Sequence, residues 1–156
     1  MKKPIILDVD TGIDDAVAIA MATYSNKLDV KLITTICGNL SVNEVTKNTL
    51  NFLQAINKKK IPVAVGENKP LEREKDNSIQ AHGKKGLGKY KFPPCTLKPV
   101  KENAVEKMYE VITKSKEKVV HIILLALFFV GFNLNFANYI LHALHFPNDL
   151  PFRFSV

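Results

Sequence analysis

Residues 4–15, Pro-Ile-Ile-Leu-Asp-Val-Asp-Thr-Gly-Ile-Asp-Asp, set four carboxylates within eight positions directly behind an apolar run. Pro4 to Leu7 reads as a short buried strand. Asp8, Asp10, Asp14 and Asp15 then fall at its carboxyl end and on the turn into a helix. Four like charges this close repel one another, so a compensating partner is expected. A divalent cation fits best, because hard ions such as Ca²⁺ and Mg²⁺ take several carboxylate oxygens. Capping alone would explain Asp14 and Asp15, but a helix cap needs one carboxylate, not four.

The rest of the chain repeats that strand-then-helix grammar. Ile5 to Val9 is strand-like, and Asp14 to Tyr24 is an apolar helix with acidic residues at its amino end, where the helix dipole favours them. Leu28 to Ile36 is a β-branched second strand ended by Cys37-Gly38-Asn39. Ser41 caps a helix running to about Asn57, with a stripe of Val45, Leu50, Phe52, Leu53 and Ile56. Ile61 to Val65 is a third strand. Glu67 to Val100 is a long polar loop rich in Gly, Pro and Lys; such loops are functional or disordered. Lys101 to Lys118 is an amphipathic helix, and a fourth strand is expected at Val119-Val120. The alternation predicts an α/β fold: a doubly wound, mainly parallel sheet with right-handed crossovers. Ligands of such sheets bind beyond the carboxyl strand ends, where Asp8 and Asp10 meet Gly38 and Asn39.

With 156 residues the chain can build one domain with a real core. Its net charge of +7 comes from dispersed lysines, with Lys58-Lys59-Lys60 the one run, so a solvated surface is expected and no nucleic-acid partner. Cys37 and Cys95 lie 58 positions apart without metal-ligand spacing, which suits a reducing cytoplasm. No long apolar stretch precedes the acidic cluster, so no signal peptide is expected there.

Composition changes abruptly near residue 119. All 20 lysines lie at or before Lys118, while seven of the nine phenylalanines and three of the four histidines lie beyond it. No Asp, Glu, Lys or Arg occurs from Val119 to Asn148.

Three pattern-level alternatives bear on the chemistry. Gly83 to Lys89 fits the first seven positions of a P-loop, but Tyr90 replaces the Ser or Thr that binds magnesium, and no strand precedes it. An EF-hand counted from Asp8 fails, with Ile13 and Ile19 at the required glycine and glutamate. A haloacid-dehalogenase-like phosphatase would use Asp8 as nucleophile and Asp10 as acid/base, but Thr11 sits one place early and Asp14 and Asp15 have no role.

Asp8-Val-Asp-Thr-Gly-Ile-Asp-Asp-Ala16, then Cys37-Gly-Asn39, then His82-Gly-x-x-Gly-Leu-Gly88 together resemble the inosine/uridine-preferring nucleoside hydrolases. Thr46-Lys47-Asn48, Pro62-Val63 and Lys69-Pro70-Leu71 also follow that family's course, and the resemblance covers roughly residues 3–118. It implies a Ca²⁺-dependent N-ribohydrolase that splits a ribonucleoside into ribose and free base in nucleoside salvage and catabolism. On that resemblance Asp10 and Asp15 are calcium ligands, and Asp10 is also general base toward a water. Asp14 holds ribose hydroxyls, Asn39 supports the pocket, His82 lines the base side, and Asp8 shapes the site.

The resemblance also marks a departure. After the fourth strand, family members carry a Thr-Gly-Pro-Leu-Thr-Asn-like turn, then a ribose segment and a His-Asp pair that completes the metal site. This chain reads Val119-Val-His-Ile-Ile-Leu-Leu-Ala-Leu-Phe-Phe-Val instead. Residues 1–118 are therefore expected to be a partial hydrolase domain and 119–156 a divergent apolar tail. One reading of the tail is a membrane segment, since 30 uncharged residues are long enough to span a bilayer. The other is a shifted reading frame, preferred because His121, Asn133, Asn135, Asn138, His142 and His145 crowd the stretch, which begins where a core strand belongs. Impaired activity is the expectation, with an inactive or membrane-associated fragment as its extreme. Base preference is left open, and a homo-oligomer is expected only of a completed fold.

Overall fold

A computed structural model describes residues 1–38, 40–69, 85–87, 90 and 92–124. Asn39, His82, most of the long loop and the tail readings from residue 125 onward lie outside the described residues. The elements alternate as the sequence predicts: β1 (Lys3–Val9), α1 (Ile13–Tyr24), β2 (Leu28–Thr35), α2 (Val42–Ala55), β3 (Val63–Val65), α3 (Ala104–Lys114) and β4 (Val120–Leu124). The four strands form one parallel sheet in the order β3-β2-β1-β4.

β1 is central, and its residues Pro4 to Leu7 and Val9 are all buried, the near-continuous burial of a parallel strand covered on both faces. The chain winds from β1 through β2 to β3, then returns across both strands to β4. Right-handed crossovers therefore put α1 and α2 on one face and α3 on the other. The packing follows. Ile5, Leu7 and Val9 join Ala16, Val17 and Ile19 of α1 and Phe52 and Leu53 of α2 in one core. Ile6, Leu32 and Ala64 meet Ala104, Met108 and Val111 on the opposite face.

Local chemistry sets the element ends. Ser41 accepts a bond from the Glu44 backbone N–H, capping α2 as expected. That helix stops at Ala55, two residues before the expected end, because Asn57 adopts φ 57°. Asn57 N–H then bonds the Gln54 carbonyl and Lys58 N–H bonds the Leu53 carbonyl, the paired bonds of a Schellman stop. α3 is shorter than the expected 101–118 because Asn103 and Glu106 form a reciprocal capping box. β3 loses its first two expected residues around Pro62, which has no N–H to donate, although its carbonyl still accepts from Ile33.

β4 pairs with β1 from Ile5↔Val120 to Val9↔Leu124. The sheet thus continues past the composition change at residue 119.

Candidate active site

The carboxyl ends of β1 and β2 converge, as the topology requires. Ile36 N–H donates to the Val9 carbonyl at 3.0 Å, carrying the two chains side by side beyond the strands. A Cβ placed on Gly38 would collide with Asp10 Oδ2 and stand 2.8 Å from the Asp10 Cβ and Cγ. Only glycine lets the Cys37-Gly38 turn lie against this carboxylate.

Asp8 sits inside β1, opposite Thr34 of β2. The Thr34 hydroxyl donates to Asp8 Oδ1 at 2.6 Å. This carboxylate is bound into the strand pair.

Asp10 and Asp15 are 5 % and 4 % exposed, and they meet. The Asp10 backbone N–H donates to Asp15 Oδ2 at 2.9 Å, so the first turn of α1 reaches back to the strand end. The helix N-cap is Gly12, without a side-chain cap bond. Capping therefore does not account for Asp15, whose carboxylate bonds a residue ahead of the cap. Asp14, half-buried beside it, completes the acidic first turn. Burial first, then the negative charges of Asp10 and Asp14, push the Asp15 carboxyl from 3.8 up to about 9. Burial and like charge thus favour the protonated form of Asp15 at neutral pH.

Thr11, fully buried, shares a 2.7 Å bond with the Thr49 hydroxyl. Because Thr49 donates its proton to the Val45 carbonyl, Thr11 donates to Thr49. A parallel pair, Thr35 and Thr46, lies 2.7 Å apart, with Thr46 donating to the Val42 carbonyl. These threonines clamp the acidic turn and the end of β2 onto α2. The sequence names Thr11 and Thr46 within motifs but does not show their hydroxyl pairing with Thr49 and Thr35. The available signal was Thr46 and Thr49, three apart on a helix face that otherwise carries Val45, Leu50 and Leu53.

Part of the glycine-rich loop is described, and it docks on the same helix. Asn48 donates from Nδ2 to the Lys85 carbonyl at 2.9 Å. Gly86 holds φ 77°, where a Cβ would stand 2.7 Å from Leu40 Cδ1, and Leu87 enters the core. This glycine lets the loop backbone come close to Leu40 and Asn48.

The donor chemistry of the strand end suits a hard cation: buried carboxylate oxygens, with a positive ion able to replace the proton that Asp15 retains. Asp10 and Asp15 are the two that would hold it. Calcium takes six to eight oxygens. Among the described residues, no group of three or more His, Cys, Asp or Glu is placed to hold a metal ion. Any further donors lie outside that set. Also among the described residues, no helix is long and apolar enough to cross a membrane.

The chain is similar to known proteins in sequence and in fold. Residues 5–133 match the family model of the inosine-uridine preferring nucleoside hydrolases, a match that runs past Lys118 and through β4. Non-specific ribonucleoside hydrolases RihC of Escherichia fergusonii and Escherichia coli are each 40 % identical over 119 residues, 76 % of this chain and 39 % of theirs. Among solved structures, a purine-preferring ribonucleoside hydrolase from Gardnerella vaginalis superimposes with TM-score 0.73 at 26 % identity, over 78 % of this chain and 40 % of that one. A plant nucleoside hydrolase also gives 0.73, at 32 % identity over 80 % and 40 %. The chain thus spans about two-fifths of the length of these relatives. By the family match and the strand-end geometry, the chain belongs to the inosine-uridine preferring nucleoside hydrolase family.

Proposed function

We propose that the strand-end site is the metal-side half of a Ca²⁺-dependent ribonucleoside N-ribohydrolase, which converts nucleoside and water into ribose and free base. The observation that carries the reading is the buried Asp10–Asp15 pair, held against Gly38 at the carboxyl end of the sheet. A bound calcium ion would supply the charge that lowers the pKa of a water. Asp10 accepts a proton from the attacking water as its oxygen bonds to C1′. The N-glycosidic bond breaks with its electron pair leaving on the base nitrogen, which then takes up a proton. The carboxylates stabilise the positive charge that builds on the ribose ring. Asp14 holds ribose hydroxyls, with Asn39 and His82 supporting the pocket and its base side. Asp15 is the second calcium ligand. Asp8, already bonded to Thr34, shapes the site, which disfavours the phosphatase alternative that needs Asp8 as a nucleophile.

The same proposal includes a turnover, for these 156 residues by themselves, well below that of the relatives of whose length they span about two-fifths. A cytoplasmic role in nucleoside salvage, with homo-oligomers only of a completed fold, belongs to the same reading. Calorimetric titration with Ca²⁺, paired with ribose release from inosine and uridine, tests it. Weak calcium binding with little turnover is expected. Turnover matching the full-length relatives would overturn the impairment, and absence of any Ca²⁺ binding would overturn the metal site.

A further inference from the structure

Among the described residues, the polar side chains shut away from water are those of Asp10, Asp15 and five threonines. Thr34 donates to Asp8. The other four form the hydroxyl pairs Thr11 with Thr49 and Thr35 with Thr46, and stability alone does not call for them. Replacing both members of a buried pair by apolar groups of the same shape is nearly neutral, because each hydroxyl has given up its bonds to water. What such a pair adds is direction.

That direction comes from α2. Thr46 and Thr49 each turn the hydroxyl proton back onto the carbonyl four residues earlier, Val42 at 2.7 Å and Val45 at 2.9 Å. With that proton committed, each offers a partner only lone pairs. The two acceptors are three residues apart, so the helix spaces them by about 4.5 Å along its axis. Thr11 and Thr35 donate to them, both at 2.7 Å.

The two donors flank one carboxylate. Thr11 follows Asp10 in the chain, within the turn that the Asp10 N–H closes onto Asp15. Thr35 ends β2, and the next amide, that of Ile36, bonds the carbonyl of Val9, just ahead of Asp10. Three residues beyond Thr35 comes Gly38, whose backbone lies against the Asp10 carboxylate. One helix therefore holds both walls around Asp10.

We propose that Thr11 and Thr35, acting through Thr49 and Thr46 of α2, are positioning residues that fix Asp10 as a cation ligand. The inference rests on the proposed metal-side site. Calcium–oxygen distances span only about 2.3–2.6 Å, so a ligand that drifts by a few tenths of an ångström loses affinity. The threonine pairs prevent that drift without touching the ion.

Thr11→Val set against Thr11→Ser separates position from packing. Valine keeps the shape and removes the bond, and Thr49 stays satisfied by Val45, so no buried donor is stranded. Serine keeps the hydroxyl and loses a methyl group. Two quantities are measured on the full chain: Ca²⁺ affinity by calorimetry, and hydrogen exchange at the Asp10 amide in the metal-free protein. Valine should weaken Ca²⁺ binding by about tenfold and speed that exchange by a similar factor, as when a ligand's support is disturbed. Serine should stay close to wild type in both. Thr35→Val should weaken Ca²⁺ binding in the same direction, and it carries the test if Thr11→Val does not fold. Wild-type values for the valine variants in either measurement, or a larger loss with serine than with valine, would reduce the hydroxyls to packing and overturn the proposal. A wild-type chain that takes up no Ca²⁺ overturns the metal site and this inference with it. Binding by the wild type and the valine variants alike overturns the inference alone.

Discussion

Two acidic clusters in this chain have opposite electrostatics. At the end of β1, Asp10 and Asp15 are buried together, with Asp14 beside them, and Asp15 is pushed up to about 9 by burial and like charge. On exposed α3, Glu110 lies 2.7 Å from Lys107 and 2.8 Å from Lys114, and those bonds pull it down to about 2. Glu110 has two cations supplied by its own helix, each about one turn away. The strand-end acids instead crowd against one another, and the fold puts Asp10 and Asp15 out of water. A surface network solubilises a helix. A buried acid pair costs stability unless a ligand supplies the missing charge, and that difference separates the candidate site from an ordinary charged surface.

The contrast can be broken most severely at Asp10. On the proposed reading, Asp10→Asn removes a charged calcium ligand and the proton acceptor. It should abolish the calcium-dependent heat in calorimetry and lower any ribose release by about a hundredfold or more. If Asp8→Asn has the larger effect instead, the phosphatase reading gains and the hydrolase assignment fails.

A pH series on the metal-free protein probes the same pair next. Asp15 holds its proton more tightly folded than unfolded, so between 3.8 and about 9 the native state binds more protons. Stability should therefore fall as pH rises through that window. Ca²⁺ should offset the fall at the alkaline end, because the ion binds only the folded site. Urea midpoints at pH 5, 7 and 8.5, in chelator and in calcium, measure both effects. A chelator midpoint that climbs steadily with pH would contradict the placement of Asp15. Glu110 has the opposite sign, since its lowered value favours folding above the ordinary carboxylate range and is lost as pH falls toward 2. On an exposed helix that contribution is screened and small.

Gly38→Ala sharpens the comparison without touching a charge. The added methyl must displace Asp10, so calcium affinity should drop by about ten- to a hundredfold, as when a ligand's support is disturbed. Far-ultraviolet circular dichroism should stay unchanged. Retained affinity would show that the Asp10 carboxylate does not need the Gly38 contact. The smallest effect belongs to the surface cluster. Lys114→Ala should leave the urea midpoint nearly unchanged and leave calcium binding alone. A larger loss would mean α3 depends on its ion pairs more than exposed helices do.

Much of this was legible from local pattern. The β-branched and apolar runs located four strands, and the apolar stripe of Val45, Leu50, Phe52, Leu53 and Ile56 named the buried face of α2. Element ends were less legible. Asn57, Pro62 and the Asn103–Glu106 box end or begin elements through hydrogen bonds that composition does not display. The clustering of Asp10, Asp14 and Asp15 was visible because they are neighbours in sequence. The clamps formed by Thr11 with Thr49 and Thr35 with Thr46 were not, since each joins residues 11 to 38 positions apart.

Read as a string, the chain establishes the alternation of strand and helix, the acidic turn after β1 and the break in composition at residue 119, because period, charge and residue type are local properties. Only folding decides that Asp8 is tied to Thr34 while Asp10 meets Asp15, although all three lie within eight positions. Folding also decides that Gly38 must be glycine, and that β4 joins the sheet from beyond the composition break. The reason is physical. Burial, and with it the proton affinity of a carboxylate, depends on which distant strands and helices close over it.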